Sequence, residues 1–156
     1  MGETSLRKPA IDITSRVECP TRELWPIVTS AAGVNAELNP LITMTFPPGG
    51  FDFSKAPLKQ PLFTSWILLF GFLPFDRHTF VLHEVGPLHF IETSHTLLQK
   101  LWRHERYLTA QGDSTDVRDV VTVIPRVAFM QPLTNHIVAS IFRHRHKRLL
   151  RLYPPK

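Results

Sequence analysis

Glu92, His104, Arg106, Asp119 and Arg145 carry side chains suited to chemistry. Two carboxylates and an imidazole can move protons, and two guanidiniums can hold anions. They can act together only if the fold points them at one place. Strand parity gives a first answer, because alternate residues of a strand share a face. In LHFIETS that face holds Leu88, Phe90, Glu92 and Ser94. In WRHER it holds Trp102, His104 and Arg106, and in VRDVV it holds Val117, Asp119 and Val121. A turn centred on Gly112-Asp113 sets Arg106 opposite Asp119, and a turn near Leu98 sets Glu92 opposite His104. These four side chains are then expected on one face of a sheet.

Arg145 must reach that face from another element. From Pro132 to about Leu152 the periodicity is helical, and Pro132 suits a first turn. At about 100° per residue, Met130, Leu133, Ile137, Val138, Ile141, Leu149 and Leu152 form a stripe centred near Ile141. Arg145 lies about 40° from that centre. Arg143, His146, Lys147 and Leu150 point away, and Arg148 can snorkel to water. A buried guanidinium is costly unless paired, so Arg145 is expected to contact Glu92 or Asp119. The basic run FRHRHKRLL (residues 142–150) then reads as the solvated end of a packed helix.

The rest of the chain supplies the elements that position these groups. AIDITSRVE alternates as a strand. PTRELWPIVTSAAGVNAEL reads as one or two short helices, kinked or broken at Pro26. LITMTF is a short strand, and Pro47 to Pro61 is a proline-rich loop. Strand-like runs follow at residues 62–72, 77–85, 88–96, 101–110 and 116–124, with short connections that imply antiparallel hairpins.

The totals fit one domain over residues 1–156, with 1–9 expected as a flexible extension. A chain this long can bury roughly 70% of its unfolded surface. Cys19 is the single cysteine, so no internal disulfide can form. The longest apolar stretch, Trp66 to Leu73, is shorter than the ~20 residues of a membrane helix. Membrane insertion is not expected, and the expected compartment is the cytoplasm. The net charge is +5, yet residues 143–156 hold six of the 18 basic residues and no acid. Basicity belongs to the terminal segment, not to the domain, and no aromatic platform accompanies it. Nucleic acid is therefore not the expected partner, although the tail keeps it as an alternative. His144 and His146 diverge on a helix, and His89 and Glu92 face opposite ways on a strand. No metal site and no cofactor is expected.

FIETS, WRHERYL, TDVRDVVTVIP and IFRHRHKRL together resemble the SRPBCC, or START-like, superfamily. More narrowly they resemble a bacterial subgroup whose SRPBCC domain is sometimes fused to a sugar-epimerase-like domain. The matching positions are Trp102 and His104, then Asp119, Val121 and Pro125, then Phe142, Arg145 and His146. The resemblance implies an α+β helix-grip fold: a seven-stranded antiparallel sheet around a long C-terminal helix, with two short helices after the first strand and a cavity between sheet and helix. It implies binding of a small hydrophobic ligand of lipid, polyketide or aromatic type. The ligand-binding residues expected are Phe90, Glu92, Trp102, His104, Arg106, Asp119, Val121, Ile141 and Arg145; the Pro47–Pro61 loop, from its Pro/Gly content and length, is expected at the cavity mouth and more mobile than the sheet. The alternative is a cyclase or dehydratase in which His104 works with Glu92 or Asp119. The plainer reading of those acids is an ion-pair network holding Arg145.

Overall fold

The strands join into one seven-stranded antiparallel sheet of order β1-β7-β6-β5-β4-β3-β2. The structure is a computed structural model that describes residues 7–155. The expected flexible extension at residues 1–9 falls, for residues 1–6, outside the described residues. The strands are β1 (Ile11–Val17), β2 (Ile42–Met44), β3 (Pro61–Leu69), β4 (Leu73–Val85), β5 (His89–Thr96), β6 (Gln99–Gln111) and β7 (Ser114–Pro125). Helices α1 (Thr21–Val28) and α2 (Ala31–Leu38) follow β1, and α3 (Gln131–Leu152) closes the chain. No described helix is long and apolar enough to cross a membrane.

Local chemistry accounts for the joints. Pro26 lies inside α1, which ends two residues later at Val28. Ser30 then caps α2, its hydroxyl accepting from Gly33 N at 3.0 Å. Gly33 has to be glycine, because a Cβ there would sit 1.8 Å from the carbonyl oxygen of Ile27. Gly112 supplies the positive φ of the two-residue β6–β7 turn. That turn fixes the register: Arg106 pairs with Asp119, and across the β5–β6 pair Glu92 faces His104, both as strand parity and the turns require.

The helix departs from its expected orientation. Its buried face carries Thr134, Val138, Ala139, Phe142, Arg145, His146 and Leu149, while Leu133 and Leu152 are exposed. This face is rotated by roughly 90° from Ile141 towards Phe142. The cause is asymmetric packing: α3 leans on β1 and β7, while Ile137 and Ile141 border a cavity. His146, expected to point away, is consequently buried.

The 47–60 segment also departs from expectation. Phe51 and Phe53 stack at 4.9 Å, and Phe51 lies 5.1 Å from Phe63 of β3. The segment therefore walls the cavity at the end opposite the β3–β4 turn. The exposed lining residues, which mark the mouth, lie at the turn end.

Candidate functional site

A chain of buried charges runs from α2 through the sheet to α3. Glu37, the one charged residue of α2, is buried and accepts from Arg106 Nη1 and Nη2 at 2.7 and 2.9 Å. Arg106 turns its other edge to Asp119, with Nε to Oδ1 at 2.8 Å and Nη2 to Oδ2 at 2.7 Å. One guanidinium thus grips two carboxylates in fork geometry. Asp119 also accepts from His104 Nε2 at 2.7 Å and His146 Nε2 at 2.8 Å. Because the carboxylate is an acceptor, the proton of each ring sits on Nε2. His146 Nδ1 is hydrogen-bonded with Ser15 Oγ at 2.9 Å.

Arg145 points inward, as expected, but its partner differs. Its Nε and Nη2 reach Glu37 at 2.9 and 2.7 Å, and neither Glu92 nor Asp119 is in contact with it. Strand parity could not find Glu37, which reaches the two guanidiniums from α2. The basic run is likewise less solvated than expected. His144 Nε2 donates to Asn39 O at 3.0 Å, and Arg148 Nε donates to Ala36 O at 3.1 Å. These donors meet the carbonyls at the C-terminal end of α2, where the helix dipole is negative. They clamp α2 to α3, and this leaves Arg143 and Lys147 as the plainly exposed cations of that run.

A second cluster lies beside the first. Glu92 accepts from His78 Nε2 and from Ser94 Oγ, the latter at 2.7 Å. Its other oxygen lies 3.9 Å from His104 Nδ1. His78 was not foreseen, although parity carries the signal: Asp76, His78, Phe80 and Leu82 alternate along β4 and all are buried.

Burial and pairing set the charge states. Burial pushes Asp119 up, but Arg106 and His104 hold it well below the ordinary carboxylate value. Burial likewise pushes Glu37 up, and Arg106 and Arg145 bring it below its ordinary value. Glu92 is also lowered, by His78 against burial. Burial depresses His104 despite Asp119, so its ring is neutral at pH 7 and presents Nδ1 as a lone pair.

Between the sheet, α2 and α3 lies a cavity of about 410 Å³. Most of its wall is apolar, with Leu38, Phe46, Phe53, Trp102 and Phe142 as large contributors. Its polar groups include His78, Glu92, His104 and Arg145. Of the nine residues expected at the ligand, Phe90, Glu92, Trp102, His104, Ile141 and Arg145 line the cavity. Arg106, Asp119 and Val121 do not. All three are wholly buried, Arg106 and Asp119 within the ion-pair network and Val121 in a core cluster with Val138 and Phe142. Their strand parity is right, but α2 and α3 cover that part of the sheet. Among the described residues no group of three or more His, Cys, Asp and Glu side chains is arranged to hold a metal ion.

Residues 15–153 match the model of a family described as a domain of unknown function (DUF8410), and the chain belongs to that family. No curated protein matches it. The solved structures it resembles include protein CV1439 from Chromobacterium violaceum, at 14% identity and a TM-score of 0.69, covering 94% of this chain and 97% of the other. A START superfamily protein from Mycobacterium smegmatis is similar at 12% identity and a TM-score of 0.67, covering 89% and 92%. DynU16, from the dynemicin biosynthetic locus, is similar at 14% identity and a TM-score of 0.55, covering 92% of this chain and 48% of its own. The chain thus has the START-like helix-grip fold that its residue pattern implies.

Proposed function

We propose that the protein binds a small, mainly apolar molecule of lipid, polyketide or aromatic type between sheet and α3. One observation carries this reading: an apolar cavity of about 410 Å³ includes Glu92, His104 and Arg145 in its wall. Its size and mixture of surfaces are those of small-molecule sites. An apolar body would gain about 25 cal/mol per Å² removed from water. Glu92 and the Nδ1 lone pair of His104 would accept from a hydroxyl at one end of the ligand, and Arg145 would donate to an oxygen. The likeness to a START superfamily protein supports the reading at the level of fold. A cytoplasmic setting suits it, since Cys19 is a free, buried thiol.

A second reading rests on the Asp119–His104 pair. Asp119 fixes the proton on Nε2 and leaves Nδ1 basic beside Glu92, an arrangement able to take a proton from a bound polyketide-type substrate. Cyclase or dehydratase chemistry would follow if His104→Gln kept binding and lost turnover.

Native mass spectrometry tests the first reading. After incubation with mixed fatty acids and polycyclic phenols, the wild type should carry one small molecule that denaturation releases. Ile141→Trp, which fills the cavity, should remain bare while folded by circular dichroism. Bare wild-type protein, or equal loading of both, refutes the proposal.

A further inference from the structure

Three connections meet at one end of the sheet: the β3–β4 turn, the β5–β6 turn and the β7–α3 link. The last two are tied together by Arg126 N donating to Leu98 O at 3.0 Å, Leu97 N donates to Arg77 O of β4 at 3.1 Å, and in the β3–β4 turn Phe70 N donates to Leu41 O at 2.8 Å. Each presents large apolar side chains to solvent. Phe70 is 65% and Phe72 74% exposed on the first, Leu97 59% on the second, and Phe129 82% on the third. Soluble surfaces seldom gather so many, and such a patch marks an interaction site. Phe75, Leu98, Val127 and Phe129 are exposed and also line the cavity. These four therefore rim the cavity mouth, with Leu97 next to Leu98 in sequence and Phe70 and Phe72 on the hairpin turn that leads into Phe75.

The charges at this end have one sign. Arg77, Lys100 and Arg126 are exposed and form no ion pair among the described residues. Arg77 lies over the Trp66 ring, 5.5 Å from its centroid. The acid of these connections, Asp76, is buried and accepts from the backbone N–H groups of Arg77 and Leu98. From Val120 to the C-terminus the sequence has no Asp or Glu.

We infer that the cavity mouth docks on the surface of an anionic lipid bilayer. Apolar tips enter the interface, Arg77, Lys100 and Arg126 face the lipid phosphates, and no helix crosses the membrane. Charge selects this occupant over a second copy of the chain, which would set the three cations against their own copies. Geometry agrees, since the aromatic tips project from separate turns around an opening. An apolar molecule could then pass between bilayer and cavity without entering water. The docking surface goes beyond the ligand reading and stands whether or not the cavity is filled.

Vesicle sedimentation of the full chain tests it, comparing phosphatidylcholine alone with phosphatidylcholine containing phosphatidylglycerol. The protein should prefer the anionic vesicles. Arg77→Gln/Lys100→Gln should weaken binding by about fivefold per cation removed. Phe72→Ser/Leu97→Ser, at positions outside the cavity wall, should weaken it by roughly tenfold or more. This apolar variant should still take up neutral N-phenylnaphthylamine, which separates lost docking from a lost ligand site. Lys147→Gln/Arg151→Gln, at the far end of α3, should bind vesicles like the wild type. The inference is overturned if wild type ignores anionic vesicles, if Phe72→Ser/Leu97→Ser binds them unchanged, or if the α3 substitutions abolish binding. Sedimentation velocity showing a dimer that Phe72→Ser/Leu97→Ser dissolves would make a second copy the occupant and overturn it equally.

Discussion

Glu37→Ala should be severely destabilising, although Glu37 belongs to a short helix outside the sheet. Arg145 is 7% exposed, and its Nε and Nη2 both end on Glu37. No other carboxylate is within ion-pair distance of it among the described residues. Arg106 keeps its two contacts to Asp119, so the substitution strands one guanidinium, not two. Removing one partner of a buried pair costs about 3–5 kcal/mol. That is a large share of a total stability of roughly 5–15 kcal/mol. For a chain of this size it should lower Tm by roughly 6–20 °C. Urea titration followed by circular dichroism gives the free energy directly. Glu37→Leu/Arg145→Met removes both charges and should be less destabilised than Glu37→Ala alone. A cost below about 1 kcal/mol for Glu37→Ala, or a double variant as costly as the two single ones added, refutes the argument.

Two further outcomes follow from burial and stacking. His104 has its folded pKa lowered from 6.5 by burial, so its contribution to stability is complete above pH 6.5 and is lost as pH falls through the lowered value. Urea midpoints should fall with acid in that window, and His104→Gln should remove that part of the slope. An unchanged slope in the variant would contradict it. A second loss belongs to Glu37 and Asp119, lowered from 4.5 and 3.8, whose stabilisation is present above those values and lost at more acid pH. In the 47–60 segment, Phe51→Ala removes the ring that stacks on Phe53 and Phe63. Amide exchange in that segment should quicken by roughly tenfold while the sheet stays protected. Unchanged exchange there would show that the stack does not anchor the segment.

The sheet was legible because its signals are local. Gly112-Asp113 fixes one hairpin, parity fixes the faces, and together they bring Arg106 to Asp119 and Glu92 to His104. Arg145 was legible as an inward charge, but its partner was not. Glu37 carried a weaker signal, as the lone charge of AAGVNAEL, with no periodicity to say where α2 would land. The orientation of α3 does not follow from its aliphatic residues, because not all of them are core. Leu133 is exposed and Ile137 borders the cavity mouth, whereas Phe142 and His146 turn into the packed side. A helix that grips a cavity has two apolar faces, and a wheel cannot tell them apart. His78 shares the parity signal of Glu92, since Asp76, His78, Phe80 and Leu82 alternate inward along β4.

The central claim is that an apolar molecule enters between sheet and α3, and titration with N-phenylnaphthylamine at low and high salt tests it most directly. The probe is uncharged, so tail electrostatics cannot hold it. The account predicts one saturable site in the wild type, nearly independent of salt, and its loss in Ile141→Trp with the fold intact. Binding that survives Ile141→Trp, or that vanishes as salt rises, would contradict it.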